Sequence, residues 1–314
     1  MNKFRNTAIA LVILVLLNVY ILTNLKKEEK LPEPDMVFSD IASPIERIEL
    51  QYPEGDSLEF KKNEKNDWEM TFPYHFKAAE YKVDDMLDSL ESLNYIQSVK
   101  ASPEEQKDFG FGQGPFKVVF NTKEKERSIE LGFRTFDNRN YYAKASDTDE
   151  ILVINEMFIS HFERDPLGYK DLEVAAFDKD EIKTISLVGN DVSFEVNKKD
   201  DTFEISLKKY NKEVPYVHKE AHELIQELTY FAAGRWINLN VKDFSLYGLE
   251  KPIYKLTIKG KDKTVNINIG RFENVWYGRI AQNPEVFEVT SYIFTLLDKL
   301  EKKEEKLPPE EIDK

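Results

Sequence analysis

Hydrophobic and polar positions change period several times along this chain, and the sequence of changes comes round twice. At 45–52, 58–61 and 68–72 apolar residues alternate with polar ones, the period of two expected of strands with one buried face. Met86, Leu87, Leu90 and Leu93 then recur three and four apart, which sets them on one face of a helix. Alternation returns at Phe116, Val118 and Phe120 and again at Ile129 and Leu131. A second round opens with strands at 184–188, 192–196 and 203–207. It passes through Leu224, Ile225, Leu228 and Phe231 at helical spacing and ends in the alternating Tyr254, Leu256, Ile258, Ile267 and Ile269. Gly, Asn, Asp and Pro at 53–56, 189–191 and 259–262 mark hairpin turns between these runs.

One phrase ties the two rounds together. Phe109-Gly110-Phe111 overlies Tyr247-Gly248-Leu249 at an offset of 138, and at that offset the helix patterns, the following strands and the pair Gly132 and Gly270 also coincide. Further on the offset falls to 135, matching Tyr142 with Tyr277 and 151–155 with 286–290, as a loop three residues shorter in the second half requires. Agreement of helix, turn, strands and glycines predicts a duplicated unit. Each copy reads as early strands, an amphipathic helix, the glycine turn, more strands and a short closing helix, hence α+β with mainly antiparallel sheet. The expected units are 32–170 and 171–300. Gly110 and Gly248 are expected to hold positive φ at a structural turn between helix and sheet, with their aromatic and aliphatic neighbours buried.

The ends are of a different character. Residues 6–25 are twenty uncharged, mostly aliphatic residues, and at about 1.5 Å per residue a helix of that length spans the roughly 30 Å core of a bilayer. No small-residue cleavage pattern precedes Lys26, and the chain has no Cys to carry a lipid, so 1–31 is expected to be an uncleaved transmembrane signal anchor with its spacer. The short basic start, Lys3 and Arg5, favours an inside N-terminus and a body outside the cytoplasmic membrane. Residues 301–314 read as a charged flexible tail, and the heptapeptide KKEEKLP at 26–32 recurs there at 302–308.

The net charge is −14; residues 1–31 carry five Lys and Arg against two Glu, so the remainder carries −17. That sign opposes nucleic acid and anionic lipid surfaces, while 41% hydrophobic and 12% aromatic residues suffice for a packed core.

Candidate chemistry is sparse. His218 and His222 stand one helical turn apart, a spacing open to two zinc ligands, but Lys219 occupies the place of the metalloprotease glutamate and no third ligand is evident. The glycines at 110, 112 and 114 lack the Lys-Ser/Thr of a phosphate loop, and Asp147, Asp149, Glu150, Asp178, Asp180 and Glu181 lack the spacing of a calcium loop and read as solvated hairpin ends. There is no Gly-x-Ser-x-Gly elbow and no thiol. No catalytic residue, metal or cofactor is therefore expected. The aromatic pairs Tyr141-Tyr142 and Trp276-Tyr277 point to opposite strand faces, so one ring of each pair is expected at the surface as a partner contact, packing on a neighbouring element being the alternative.

With the Trp68 and Phe203 strands, the amphipathic helices, Tyr247-Gly-Leu-x-x-Pro252, Ile269-Gly270 and Trp276-Tyr277, the chain resembles the bacterial domain-of-unknown-function family 4340 over most of 40–300. The first half departs from the pattern, reading Phe-Gly-Phe-Gly-Gln-Gly-Pro from Phe109 with one extra residue before Pro115. The resemblance implies an anchored envelope protein, often encoded beside gliding-motility-type ABC transporter components, and no catalytic residues. The expected function is a membrane-anchored extracytoplasmic accessory or scaffold protein working through contacts with transporter subunits; an envelope glycan- or peptide-binding module is the alternative.

Overall fold

The computed structural model describes residues 35–300 apart from 39, 40, 42, 113–115 and 201, so the expected anchor, its spacer, the C-terminal tail, Gly114 and Pro115 lie outside the described residues. Among the described residues no helix is long and apolar enough to cross a membrane.

The chain begins with β1 (Ile45–Gln51), β2 (Ser57–Lys62), β3 (Trp68–Phe72) and the short β4 (Phe76–Lys77), followed by helix α1 (Glu80–Glu91). Then come β5 (Gln97–Val99), β6 (Lys117–Thr122), β7 (Glu126–Arg134), β8 (Asn140–Ala145) and β9 (Ile151–Asn155). These form one antiparallel nine-stranded sheet in the order β4-β3-β2-β1-β6-β7-β8-β9-β5. The second half supplies β10 (Glu173–Ala176), β11 (Thr184–Gly189), β12 (Val192–Lys199), β13 (Thr202–Lys209), β14 (Lys212–Glu213), helix α2 (His218–Thr229) and β15 (Tyr230–Ala232). It is completed by β16 (Arg235–Asn238), β17 (Tyr254–Lys259), β18 (Thr264–Phe272), β19 (Val275–Ile280), β20 (Val286–Glu288) and helix α3 (Tyr292–Leu300). Its sheet runs β14-β13-β12-β11-β17-β18-β19-β20-β16, the same order strand for strand. β10 and β15 pair separately. The fold is α+β, with two large, mostly antiparallel sheets and few helices.

Each sheet buries one face. Ile48 and Leu50 of β1 lie opposite Phe60 and Leu58 of β2 and opposite Phe120 and Val118 of β6, all buried, and α1 covers them with Val83, Met86 and Leu90. In the second sheet Ile185 and Leu187 face Val196 and Phe194 on one side and Ile258 and Leu256 on the other, under Leu224, Ile225 and Leu228 of α2 and Ile293, Leu296 and Leu297 of α3. Both helices end sooner than their apolar spacing predicts: Leu93 lies beyond α1, and Phe231 lies in β15, though both side chains are buried. In the first half the closing helix is the 3-10 turn Glu156–His161, not an α-helix.

The opposite face of the first sheet is polar. Arg47 donates from Nε to Glu59 Oε1 at 2.6 Å, Thr71 Oγ1 donates to Glu59 Oε2 at 2.7 Å, and Arg47 also pairs with Glu49 and Asn121. Partial burial pushes the Glu59 carboxyl up, but hydrogen bonds from Thr71, Arg47 and Lys61 and the Arg47 charge outweigh it and hold the pKa at about 2. A depressed carboxyl stabilises the fold fully above its unfolded value of 4.5, and that stabilisation is lost as pH falls from there toward 2. Glu59→Gln should therefore cost about 1–2 kcal/mol at neutral pH and next to nothing near pH 2. Urea midpoints of the two proteins that differ by the same amount at pH 6 and pH 2.5 would contradict this.

The two sheets are joined through the connector. The 3-10 turn Pro166–Tyr169 packs on β16, Tyr169 O accepts from Ala79 N at 2.8 Å, and Trp236 Nε1 donates to Asp171 O at 2.8 Å. Lys170 Nζ sits 4.3 Å from the Trp236 ring centroid and 5.3 Å from that of Phe76, and pairs with Glu285 at 3.2 Å. Leu239 packs against both cores.

Candidate interaction surface

In both sheets the chain must travel from an outer strand back to the centre. β5 is the last strand beyond β9, yet the next strand, β6, pairs with β1; β16 and β17 repeat this. The crossing segment carries the glycine turn. A 3-10 turn, Glu105–Phe109 in the first half and Ser245–Tyr247 in the second, ends in Gly110 at φ 93° and Gly248 at φ 65°, the left-handed region where a Cβ is strained. An outer strand thus separates the helix from the turn, which sequence periodicity did not reveal.

Close approach is the second reason for glycine. A Cβ on Gly248 would lie 2.4 Å from Arg271 O, and one on Gly270 of β18 would lie 2.2 Å from Gly248 O. In the first half a Cβ on Gly132 of β7 would lie 2.1 Å from Phe109 O, and one on Gly110 would lie 2.7 Å from Phe133 N. Turn and strand therefore meet backbone to backbone.

The aromatic pairs frame this contact. Tyr142 meets Phe109 edge-on at 4.8 Å, and Tyr277 meets Tyr247 edge-on at 5.2 Å, so the second ring of each pair braces the glycine turn of its own half. The first ring turns toward the core: Trp276 stacks on Phe294 of α3 at 3.8 Å, while Tyr141 packs against the first core and accepts from Arg134 Nε at 2.9 Å. All four rings are half-buried, so the expected exposed ring in each pair is absent. Neighbouring side chains take the surface instead. Phe133 and the fully exposed Phe136 lie just past Gly132, and Leu246 and Phe272 are exposed within two residues of Gly248 and Gly270. Phe136 belongs to the longer β7–β8 connection that changes the offset, a signal available in the sequence but not read as a contact site.

The other candidates are dispersed. His218 and His222 are exposed on the first turns of α2, with Tyr216 edge-on to His218 at 4.9 Å. Among the described residues no group of three or more His, Cys, Asp or Glu is placed to hold a metal. Asp147 is not a free hairpin-end carboxylate: it takes Arg127 Nε at 3.1 Å and Lys125 Nζ at 3.0 Å. Its pKa is lowered; burial pushes it up, but Ser146, Lys125 and Arg127 outweigh burial. Asp178, Asp180 and Glu181 are exposed, but on the link between β10 and β11, which lie in different sheets, so they are not hairpin ends; Asp180 pairs with Lys198. Between the sheets a cleft of about 250 Å³ is lined by Lys77, Lys170, Glu173, Trp236 and Glu285, and its cation and ring are already engaged with each other.

Gly248→Val and Gly110→Val should each cost about 2–4 kcal/mol, from left-handed strain together with the backbone clash. Gly248→Ala combined with Gly270→Ala should cost less than the sum of the singles, because one displacement of the turn relieves both. Chemical denaturation of the four variants measures this; wild-type midpoints for the valine variants, or strictly additive alanines, would mean that the turn is not tightly seated.

No curated protein and no solved structure matches the chain. A family model described as Domain of unknown function (DUF4340) matches residues 68–252, from β3 through the outer strand β16 to just past the Gly248 turn, which is more than half of the chain. The chain belongs to this family.

Proposed function

We propose that the protein is a membrane-anchored extracytoplasmic accessory or scaffold subunit, made of two tandem copies of one α+β unit and associated with an ABC-type transport system. The observation that carries a contact role is the exposure of large apolar side chains near the glycine turn of each half, though not at equivalent positions: Phe133 and Phe136 beside one, Leu246 and Phe272 beside the other. Apolar groups held in water at the end of a braced turn suit burial by a partner. The braces are Tyr142 and Tyr277, with Tyr141 and Trp276 behind them, so the aromatic pairs support the contact and the residues next to them make it. The identical strand order of the two sheets supports the reading as tandem copies. The aliphatic run at 6–25 supports the anchor, and the association with a transporter rests on the family resemblance.

Phe136→Ser and Phe272→Ser replace exposed side chains and should leave stability within about 0.5 kcal/mol. In detergent-solubilised full-length protein each should lower recovery of transporter subunits, identified by mass spectrometry, by about fivefold or more. The contact role fails if wild-type protein recovers none, or if exchanging the anchor abolishes recovery while both Ser variants retain it. Glycan recovered in place of protein would favour the binding-module alternative.

The topology is tested separately. The chain has no thiol of its own, so Lys261→Cys at the β17–β18 hairpin should react with a membrane-impermeant maleimide in intact cells whose outer envelope has been opened. Reaction only after lysis of the cytoplasmic membrane would reverse the orientation.

A further inference from the structure

The polar faces of the two sheets differ in charge along one matched row. In the first sheet Lys117 of β6 lies opposite Glu130 of β7, and Glu130 opposite Lys144 of β8, so a carboxylate stands between two cations on one face. The offsets of 138 and 135 carry these three residues onto Lys255, Asn268 and Arg279, which lie opposite one another across β17, β18 and β19 in the same way. In the second sheet the central carboxylate is thus replaced by an amide. Two cations remain with no charge between them.

Arg279 is held in place but not neutralised. Its Cζ lies 3.9 Å from the centroid of the Phe244 ring, a stack that fixes the guanidinium against the crossing segment. The equivalent contact in the first half is a hydrogen bond, from Lys144 Nζ to Gln106 Oε1 at 2.9 Å, Gln106 standing 138 residues before Phe244. Arg279 Nε is buried without an acceptor, and among the described residues no hydrogen bond or ion pair engages the rest of its guanidinium or the ammonium of the exposed Lys255. Glu288, diagonal to Arg279 beside Tyr277, is already taken by Arg235, whose Nε donates to it at 2.7 Å. A ring behind the guanidinium sets its plane, and its outer nitrogens then suit a planar acceptor, above all a carboxylate.

We propose that Lys255, Asn268 and Arg279 form a docking site for a carboxylate on an acidic segment of a partner protein, which takes the place that Glu130 holds in the first sheet. Asn268 offers an amide donor there and, unlike Glu130, does not repel the incoming charge. The acidic body repels such a segment elsewhere, so this row also selects where it lands. Leu246, exposed two residues from Phe244, gives the segment an apolar contact beside the charged one. The site deepens the contact role proposed above and rests on it only for the source of the segment.

The test uses full-length protein in detergent and, as probe, a dye-labelled peptide of alternating Glu and Ser followed by fluorescence anisotropy. Arg279→Gln and Asn268→Glu should each weaken its binding about tenfold or more, while Lys261→Gln, which makes the same change in net charge at a hairpin tip, should alter it by less than about twofold. The peptide with Gln in place of Glu should bind wild-type protein about tenfold more weakly as well. Asn268→Glu should in addition raise the thermal midpoint by about 1–3 °C, because the new carboxylate lies between the two cations, whereas Asn268→Gln should leave it unmoved. Loss of binding together with a gain in stability separates occupation of the site from damage to the fold. Peptide binding that follows this pattern supports the site even where no transporter subunit is recovered. Absence of saturable binding overturns the proposal, and so does equal weakening by Lys261→Gln, which would reduce the effect to net charge. A midpoint that Asn268→Glu leaves unchanged or lowers means that the two cations are already compensated, and overturns it too. Inorganic phosphate that displaces the peptide far more readily than acetate does would make the row a phosphate site and overturns it equally.

Discussion

Backbone meeting backbone at the glycine turns is the constraint on which each half depends. A sheet that places its fifth strand at the rim and its sixth at the centre needs a crossing segment over the ends of the strands between. That segment must lie close enough to be buried without prising the strands apart. Gly110 against Phe133 and Gly132 against Phe109 meet the requirement with no Cβ on one side of each contact, and Gly248 on Gly270 with none on either side. The aromatic braces follow from it, since Tyr142 and Tyr277 reach the turn only because the turn lies this low over the sheet. Val241, Leu249 and Val286 fill the space beneath the second turn as a small core of their own.

The two halves are alike in topology and unlike in surroundings. The second has its outer strand covered by the connector and fixed by Lys170 between Phe76, Trp236 and Glu285. At the position equivalent to Trp236 the first half has Ser98, and among the described residues no strand pairs with the far side of its outer strand. An ammonium group held between two rings and a carboxylate is largely withdrawn from water, which favours one placement of the connector over many. The asymmetry arises from order along the chain: the second unit follows directly on the first, whose end supplies the connector.

Much of this was legible in the sequence because it rests on local period. The six early strands, the helical faces of α1 and α2 and the left-handed glycines all follow from side-chain spacing and from what a Cβ forbids. The offset placed Gly132 and Gly270 as equivalents but did not show that they touch the turn. The outer strands β5 and β16 were missed because three or four residues give too little alternation to register. The exposure of the aromatic pairs was misjudged for another reason. Alternation assigns rings to opposite faces, but both faces of β8 and β19 are covered near the turn, one by the core and one by the crossing segment itself. Lys170 carries no local signature, since its partners lie on β4, β16 and the segment before β20.

The pairing of β1 with β6 and of β11 with β17 has a consequence for the order of events during synthesis. The central ladder of the first sheet joins Ile48 to Phe120, and that of the second joins Ile185 to Ile258. Neither sheet can close until its sixth strand has emerged, and contacts so distant along the chain form slowly. Until then β1 to β3 form only an unclosed meander whose apolar face awaits the helix. The first unit can nevertheless be complete before β17 exists, so the connector meets a finished surface on one side and an unfinished one on the other. The joint at Lys170 therefore lies between a unit whose strands are all synthesised early and one whose central ladder needs the last third of the chain.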